Sequence, residues 1–447
     1  MTHKTIDTVT SPRRIAVDGV VRVTRDALAL ELNPGHLSIM SVRDRALAFE
    51  IATGTVRYLS LLDALLTHCM PRPPALGRHF LWAVMRTALY QARWMRIPAR
   101  AAIHEAVNLI KHSPDHARAG FVNAVLRNSV SVDQESVLAG IADPVERLAT
   151  ANAHPVWLVR RWIQQVGLEQ TQKRLAAGNM QAPLVLRVNR LVTDPSTLLA
   201  ALGGDGESCW PDGIRVSRHG SVESLPGYQE GWFAVQDAAA QWASCFLDPQ
   251  PGEDVLDVCA APGGKTAHLA ALAQGRARIC AVDRSAVRLQ RLHDTVSRLQ
   301  VPGVEVIVGD ATDPALLSGR MFHKVLLDVP CSGTGVIRRH PEIKWRRHAD
   351  DPLVMAALQR QILAATAARV CHNGILVYAV CSMEPEEGEE QIRHFLAEHG
   401  DWERVKIVHP ELRDVINPEG EFRSEPGWGG MDGFFIARLR RRGGVNE

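Results

Sequence analysis

Two cysteines, each followed by serine, stand at the ends of two short apolar runs in this 447-residue chain. Cys331 lies in the motif LLDVPCSGTG, and Cys381 lies in the motif LVYAVCSMEPEE. Free cysteines often serve as small buried hydrophobes, but a thiolate is also a strong nucleophile. Two of them at matching ends of neighbouring strands could act on one substrate, and this paired placement favours chemistry.

The chemistry that suits such a pair is the activation of a pyrimidine. Carbon 5 of the ring is too weak a nucleophile to attack a methyl sulfonium, whereas a thiolate that adds to carbon 6 converts the base into an enamine that can. A second group must then help to remove the carbon-5 proton, and the two cysteines could divide these tasks. Asp328, which ends the run before Cys331, could hydrogen-bond the N3/N4 edge of a cytosine. The attack requires an unstacked base, which predicts a single-stranded or flipped nucleotide.

A glycine-containing loop, in the motif DVLDVCAAPGGKT, follows an earlier apolar run. Its two glycines let the backbone turn tightly and approach a ligand at the start of a helix. Asp283 ends the next apolar run, and Asp310 stands at the end of the run after that. Carboxylates at these places can bind ribose hydroxyls and an adenine edge. This combination predicts S-adenosylmethionine as cofactor. The expected cofactor-binding residues are Cys259, Ala260, Ala261, Pro262, Gly263, Gly264, Lys265, Asp283, Asp310 and Asp328.

Other ligands are less consistent with these motifs. The sequence Gly264-Lys265-Thr266 imitates the end of a nucleoside-triphosphate loop, but that motif requires glycine where this chain has Cys259, which weakens an ATPase interpretation. The dinucleotide motif GxGxxG is absent. No cysteine and histidine cluster has ligand-like intervals, so no metal is expected.

Charge is distributed unevenly and suggests a nucleic-acid partner. Residues 1–190 contain 24 Lys and Arg against 14 Asp and Glu, and Arg outnumbers Lys by 44 to 7 in the whole chain. Guanidinium groups suit bidentate phosphate contacts, although genomic base composition explains the enrichment equally well. We interpret a second basic cluster as a set of RNA contacts, and the alternative is a solvated basic face. This cluster consists of Arg338, Arg339, Lys344 and Trp345. Five glutamates after Cys381, from Glu384 to Glu390, are expected to cap and solvate the start of a helix.

The elements that position these residues fall into two classes. From about residue 46 to 126 apolar residues recur at helical spacing, and proline residues fall between the stripes. After residue 240, short apolar runs alternate with amphipathic segments, which predicts a doubly wound α/β domain with a ligand at the carboxyl ends of its strands. The predicted strands are Asp254–Val258, Ile279–Asp283, Val304–Val308, Lys324–Asp328, Ile375–Ala379 and a last, antiparallel Gly433–Leu439.

The composition excludes several classes of protein. The hydrophobic share of 46% and the charged share of 22% are those of a globular protein, and no apolar run approaches the length of a membrane span. The first residues lack the apolar core of a secretory signal, and the eight cysteines form no CxxC pair. We therefore expect a cytoplasmic protein that has no membrane partner and acts as a monomer.

With these motifs the sequence resembles the RNA cytosine-5 methyltransferases of the RsmB/Sun/Fmu type, over about 400 residues. The resemblance implies that Cys381 is the nucleophile, that Cys331 assists product release, and that small-subunit ribosomal RNA is the substrate. The segments IPARAAIHEAV and FVNAVLR resemble the NusB-like RNA-binding domain of that family, and Arg187 and Asn189 resemble its RNA-seating extension. One departure is Val380, where the family has threonine.

The resemblance gives a multidomain fold, in which an all-α NusB-like domain precedes an α/β Rossmann-like methyltransferase domain. The expected domains are an unassigned N-terminal extension (1–40), the NusB-like domain (41–145), a linker helix with an RNA-seating subdomain (146–240), the methyltransferase domain (241–442) and a tail (443–447). Two alternatives remain open: a DNA cytosine-5 methyltransferase, in which Cys331 would attack, and an RNA-binding assembly factor with a vestigial methyltransferase domain.

Overall fold

The computed structural model describes residues 11–217 and 220–443, and the chain divides into two compact units. The first, here called the helical unit, contains the residues up to Gln181 and also Ile337–Ala349. The second, here called the α/β unit, contains Ala182–Val336 and the residues from Asp350 onward. The segment 337–349 thus lies within the predicted methyltransferase domain in sequence but belongs to the helical unit in space.

The helical unit has a main apolar core, to which helices from most of its length contribute, and two smaller apolar clusters. Amphipathic stripes at helical spacing face this core, as the sequence predicts. Its helices are α1 (Pro12–Asp26), α2 (Pro34–Ser38), α3 (Val42–Arg57), α4 (Leu59–His68), α5 (His79–Trp94), α6 (Ala99–Lys111), α7 (Ala119–Ser131), α8 (Gln134–Ala139), α9 (Pro144–Ala151), α10 (Val156–Asn179) and, from the later segment, α15 (Ile343–Arg346).

Helix α1 corrects the interpretation of residues 1–40 as a separate extension. The Ser11 side chain caps it by accepting a hydrogen bond from the Arg14 N–H, and Pro12 occupies its first turn, where a missing N–H costs nothing. Val17 and Val20 are fully buried in the core of the helical unit. The first ten residues of the predicted extension lie outside the described residues.

The α/β unit begins with a small antiparallel sheet in the order β2-β3-β1-β4. Its apolar side chains, among them Leu186, Ile214 and Phe233, form a separate core cluster. The elements of this part are β1 (Leu184–Val188), α11 (Pro195–Ala201), β2 (Gly206–Cys209), β3 (Gly213–Val216) and β4 (Phe233–Val235).

A larger mixed sheet follows in the order β10-β12-β9-β8-β5-β6-β7, with β11 paired to β12. Strands β5 to β9 are mutually parallel neighbours, and β12 is antiparallel to β9. The elements are α12 (Ala238–Leu247), β5 (Asp254–Val258), α13 (Gly264–Leu272), β6 (Arg278–Asp283), α14 (Ala286–Arg298), β7 (Val304–Val308), β8 (Phe322–Asp328), α16 (Asp351–Ala367), β9 (Val370–Val380), α17 (Glu389–Glu398), β10 (Trp402–Arg404), β11 (Phe422–Ser424) and β12 (Phe434–Arg441).

This sheet confirms the predicted α/β fold and all six predicted strands, including the antiparallel last one. The parallel strands β5, β6, β8 and β9 are largely buried on both faces, which is why they read as apolar runs in the sequence, whereas the edge strand β7 is half-buried or exposed. Of the predicted tail, residues 444–447 lie outside the described residues. Within the part of the chain that the structure describes, no helix has both the length and the apolar character needed to cross a membrane.

Candidate active site

The glycine-containing loop joins the end of β5 to the start of α13 and lines a cavity of the α/β unit. Gly263 has a φ of 96°, and a Cβ there would lie 2.9 Å from the Leu292 Cγ, so both the turn and its packing require glycine. No side chain caps the N-terminus of α13, and a Cβ at Gly264 would meet nothing within 4 Å. The loop therefore presents free N–H groups beside open space, which suits the polar end of a nucleoside cofactor.

The two predicted acids that follow β6 and β7 differ in their surroundings. Asp283 is buried and accepts hydrogen bonds from the N–H groups of Ala261 and Ser285, so it fixes the glycine-containing loop. Asp310 is exposed and accepts hydrogen bonds from the backbone and the hydroxyl of Thr312, which lower its pKa. Neither Asp283 nor Asp310 lines the cavity, whereas six of the seven loop residues from Cys259 to Lys265 do.

Lys265 and Asp328 form an ion pair at the floor of this cavity, with the Lys265 Nζ 2.7 Å from the Asp328 Oδ2. Burial alone lowers the pKa of Lys265, but the charge of Asp328 and its hydrogen bond outweigh this effect and raise it. The ammonium therefore stays charged, and it holds the Asp328 carboxylate in a fixed orientation. Asp328 ends β8, two residues before Pro330 and three before Cys331, as the sequence predicts.

Asp257 is a site residue that the sequence reasoning missed. It lies on β5 inside an otherwise apolar run, lines the same cavity and is fully buried. The Thr266 hydroxyl donates a 2.6 Å hydrogen bond to its Oδ2, and burial raises its pKa to about 7. The signal in the sequence was an acid in the middle of a buried strand, which is costly without a purpose.

The two cysteines lie together at the carboxyl ends of adjacent parallel strands, with 3.3 Å between the Cys331 Sγ and the Cys381 Sγ. The pKa of Cys331 is raised well above its usual range. The hydrogen bond to Cys381 is the largest cause, and burial is the second. Cys331 therefore rests as a thiol. This contact joins residues 50 positions apart in the sequence, which only the pairing of β8 with β9 brings together.

Behind the cysteines lies Glu387, one of the glutamates expected to solvate a helix start. That expectation is wrong for Glu384 and Glu387, which are both fully buried. The Glu387 carboxylate accepts hydrogen bonds from the backbone and hydroxyl of Ser332 and from the hydroxyl of Ser382, which follow Cys331 and Cys381 respectively. Its position close to both loops depends on the fold, and the sequence alone gave no indication of it.

The residues predicted to contact RNA are mostly buried, which corrects that prediction. Lys344 is 1% exposed, and its ammonium donates hydrogen bonds to the Arg57 carbonyl and the Asn179 Oδ1. The Trp345 indole donates to the Val56 carbonyl and packs on the helical core. Arg338 is buried as well, and Arg339 is half-buried. The basic segment 337–349 anchors itself within the helical unit because its cations and indole satisfy main-chain carbonyls there.

The same correction holds for Arg187 and Asn189, predicted as RNA-seating residues. Arg187 is fully buried on β1 and donates hydrogen bonds to the Gln236 Oε1 and to the carbonyl of Gly264. Asn189 donates to two main-chain carbonyls, those of Gly231 and Leu299. These side chains tie the small sheet to the cofactor loop and to the end of α14.

Sequence spacing predicted no metal, and the fold brings together a group that spacing could not reveal. Ligand atoms of Asp212, Cys245 and His268 lie within 4.8 Å of one another. Two guanidinium groups act on this cluster: Arg190 forms an ion pair with Asp212, and the charge of buried Arg187 contributes, after burial, to lowering the pKa of His268 to about 4. The guanidinium groups of Arg190 and Arg187 thus compensate the negative charge of Asp212.

The mixed sheet, the glycine-containing loop with Asp283, and the cavity at the strand ends define an S-adenosylmethionine-dependent methyltransferase. Three family models match the chain: "16S rRNA methyltransferase RsmB/F" over residues 244–440, "NusB family" over 10–131, and "Methyltr_RsmF/B-like, ferredoxin-like domain" over 154–223. The chain belongs to the 16S rRNA methyltransferase RsmB/F family. The NusB match includes the two segments, IPARAAIHEAV and FVNAVLR, that resemble a NusB-like domain.

Curated relatives extend over nearly the whole chain. It is 39% identical to ribosomal RNA small subunit methyltransferase B of Sodalis glossinidius, over 96% of this chain and 97% of that protein. The protein of the same name from Klebsiella pneumoniae is 38% identical over 96% of this chain and 98% of its own length. The crystal structure of PH0851 is similar over 96% of this chain and 99% of that chain, with a TM-score of 0.79 and 26% identity.

A shorter solved structure is also similar. The methyltransferase homolog protein from Pyrococcus horikoshii matches 67% of this chain and 100% of its own, with a TM-score of 0.59 and 29% identity. Together these similarities agree with the fold and with the use of S-adenosylmethionine.

Proposed function

We propose that this protein transfers a methyl group from S-adenosylmethionine to carbon 5 of a cytosine in 16S ribosomal RNA, through a covalent adduct between Cys381 and carbon 6 of the base. The proposal includes action in the cytoplasm and as a monomer. The observation that carries it is the pair of sulfur atoms 3.3 Å apart at the strand ends, beside the cavity that the cofactor loop lines.

The assignment of Cys381 as nucleophile follows the family resemblance, and the surroundings of Cys331 agree with it. Cys331 is held as a thiol by its neighbour and by burial, because both raise its pKa, so it is a poor nucleophile in the resting enzyme. Its S–H is then available to donate a hydrogen bond to the sulfur of Cys381. The Cys381 thiol loses its proton to solvent water, the thiolate adds to carbon 6, and the ring electrons move toward carbon 5. Lys265 positions Asp328 to bind the polar edge of the base.

When bound, S-adenosylmethionine supplies an electrophilic methyl group, and the activated carbon 5 accepts it. The carbon-5 proton must then leave so that the bond between sulfur and carbon 6 can break and the double bond of the ring can return. Adduct formation consumes the Cys381 sulfur, and this removes the largest cause of the raised pKa of Cys331. After the adduct has formed, Cys331 gives its own proton to solvent water and, as a thiolate, takes up the carbon-5 proton at the release step.

The test compares the wild type with Cys331→Ala, Cys381→Ala and, as a matched control, Cys371→Ala, a half-buried cysteine elsewhere on β9. Each is incubated with small-subunit RNA and radiolabelled S-adenosylmethionine, followed by denaturing gels and nucleoside analysis. We expect 5-methylcytosine from the wild type and the control, a trapped protein–RNA adduct with Cys331→Ala, and neither with Cys381→Ala. An adduct that persists in Cys381→Ala and is lost in Cys331→Ala would falsify the assignment of roles.

Two further outcomes separate the alternatives. RNA that is bound but never labelled by any of the four proteins would contradict methyl transfer and favour the assembly-factor interpretation. Label in double-stranded DNA rather than in RNA would favour a DNA methyltransferase. Light scattering of the purified chain, with and without RNA, tests the monomer, and a mass twice that of the 49.2 kDa chain would contradict it.

A further inference from the structure

A buried carboxylate links the two loops that carry the cysteines. Glu387 belongs to a single 3-10 turn after β9, and its side chain is fully buried. It accepts hydrogen bonds from the Ser332 N–H at 2.7 Å, from the Ser332 hydroxyl, and from the Ser382 hydroxyl. One side chain therefore binds the residue after Cys331 and the residue after Cys381.

A second layer fixes this carboxylate from behind. Gln359 of α16 donates hydrogen bonds to the Glu387 Oε1 at 3.0 Å and to the Pro330 carbonyl at 2.9 Å. The Tyr378 hydroxyl lies 3.0 Å from the Gln359 Oε1 and 2.7 Å from the Glu387 carbonyl. Because Tyr378 is on β9 and Gln359 on α16, the position of the carboxylate is set by the core of the α/β unit rather than by its own turn.

The donors define the state of the group. Four donors share the two carboxylate oxygens of Glu387: one main-chain N–H, two hydroxyls and one amide. An ionised carboxylate accepts all four hydrogen bonds, whereas a carboxylic acid must also donate its own proton. Burial acts in the opposite direction and raises the pKa of Glu387. Its charge is also one of the contributions, after Cys381 and burial, that raise the pKa of Cys331.

We propose that Glu387 is a positioning residue for methyl transfer: through its hydrogen bonds to Ser332 and Ser382 it holds the Cys331 and Cys381 sulfur atoms at their mutual distance. This inference rests on the proposed function, because it assigns the two cysteines to the same reaction. Glu387 does not touch the substrate, and it acts through Ser332 and Ser382. A residue with this role affects the chemical step and leaves cofactor and RNA affinity in place.

The test is Glu387→Gln, which keeps the shape of the side chain and removes its charge. Its matched control is Glu390→Gln, which removes the same charge from a half-exposed side chain one turn away. We expect Glu387→Gln to lower kcat at least tenfold relative to Glu390→Gln, with the KM for RNA and the Kd for S-adenosylmethionine within threefold. Calorimetric binding of S-adenosylmethionine verifies that the variant is folded.

A second readout needs no RNA. Alkylation by iodoacetamide is followed by peptide mass spectrometry as a function of pH, with Cys371 as the internal reference. In the wild type Cys331 is expected to react only at high pH, and in Glu387→Gln its profile should move to lower pH, because the carboxylate charge no longer opposes ionisation. A wild type that alkylates in this way but does not methylate cytosine would refute the proposed function. A wild type that methylates cytosine, with the same Cys331 alkylation profile in Glu387→Gln, would count against the positioning role alone.

The proposal is overturned if Glu387→Gln binds S-adenosylmethionine but matches Glu390→Gln within twofold in kcat and in the alkylation profile of Cys331. If Glu387→Gln does not fold, Ser382→Ala decides, because it removes one hydroxyl from the carboxylate and leaves the charge in place. A loss of kcat in Ser382→Ala without a change in KM supports positioning. Unchanged kcat in that variant, together with unchanged alkylation of Cys381, contradicts it.

Discussion

The buried acid Asp257 gives a quantitative prediction about stability. In an unfolded chain an aspartate loses its proton near pH 4, whereas burial raises the pKa of Asp257 in the native protein to about 7. Between these values the native state binds more protons than the unfolded state, so the free energy of unfolding falls as the pH rises. Above the native pKa, ionisation of Asp257 has lowered the free energy of unfolding by its full amount. A difference of about 3 pKa units at about 1.4 kcal/mol each makes this about 4 kcal/mol.

The perturbation is Asp257→Asn, which keeps the acceptor for the Thr266 hydroxyl and cannot ionise. The wild type already carries about 1.5 kcal/mol of this cost at pH 5 and about 4 kcal/mol at pH 8. We therefore expect Asp257→Asn to gain about 2.5 kcal/mol relative to the wild type between these pH values. Urea unfolding followed by tryptophan fluorescence measures this difference.

Asp254→Asn, on the same strand, is the control. The hydrogen bond from Arg278 lowers the pKa of Asp254, so this group is ionised in both the native and the unfolded state from pH 5 to 8, and its effect should be flat in that window. A difference between Asp257→Asn and the wild type that does not change with pH, or that turns against the variant at pH 8, would refute the reasoning.

Three further substitutions test other parts of the structure. Gly335→Ala places a Cβ 2.0 Å from the Gly433 carbonyl and should cost about 3 kcal/mol of unfolding free energy, whereas Gly400→Ala, whose Cβ meets nothing within 4 Å, should melt like the wild type. Lys344→Met should lower the unfolding free energy by about 2 kcal/mol with RNA affinity unchanged, and a tenfold loss of RNA binding at constant stability would restore the surface interpretation. Arg187→Met should weaken S-adenosylmethionine binding about tenfold in calorimetry, or about 1.4 kcal/mol, and weaker RNA binding with an intact Kd for the cofactor would contradict its placement behind the loop.

Local patterns in the sequence were sufficient for the strands and for the cysteine motifs. The central parallel strands are short apolar runs because both of their faces are covered. Cys381 directly follows one such strand, and Cys331 lies three residues after the end of another. The glycine-containing loop was recognisable for a similar reason, since its conformation and its packing against Leu292 exclude other residues at Gly263. In these cases the neighbours in sequence are also the determinants of structure.

The misread residues depend on contacts between distant parts of the chain. A lysine on an RNA-binding face and a buried lysine can have the same local sequence. Lys344 is buried where the carbonyl of Arg57, 287 residues away, and the Asn179 Oδ1 accept its hydrogen bonds. Glu387 was likewise indistinguishable from its solvated neighbours, because its partner Ser332 lies 55 residues earlier. Burial of a polar side chain depends on which groups form hydrogen bonds with it, and a single sequence does not specify these groups.

The path of the chain between the two units has a consequence for inheritance. The helical unit includes residues 337–349, which are encoded inside the sequence of the α/β unit. A recombination event between residues 181 and 182 would therefore separate the helical unit from Lys344 and Trp345, which bond to the main chain of its own helices. Expression of the segment up to residue 181 alone would leave the carbonyls of Val56 and Arg57 without these two donors.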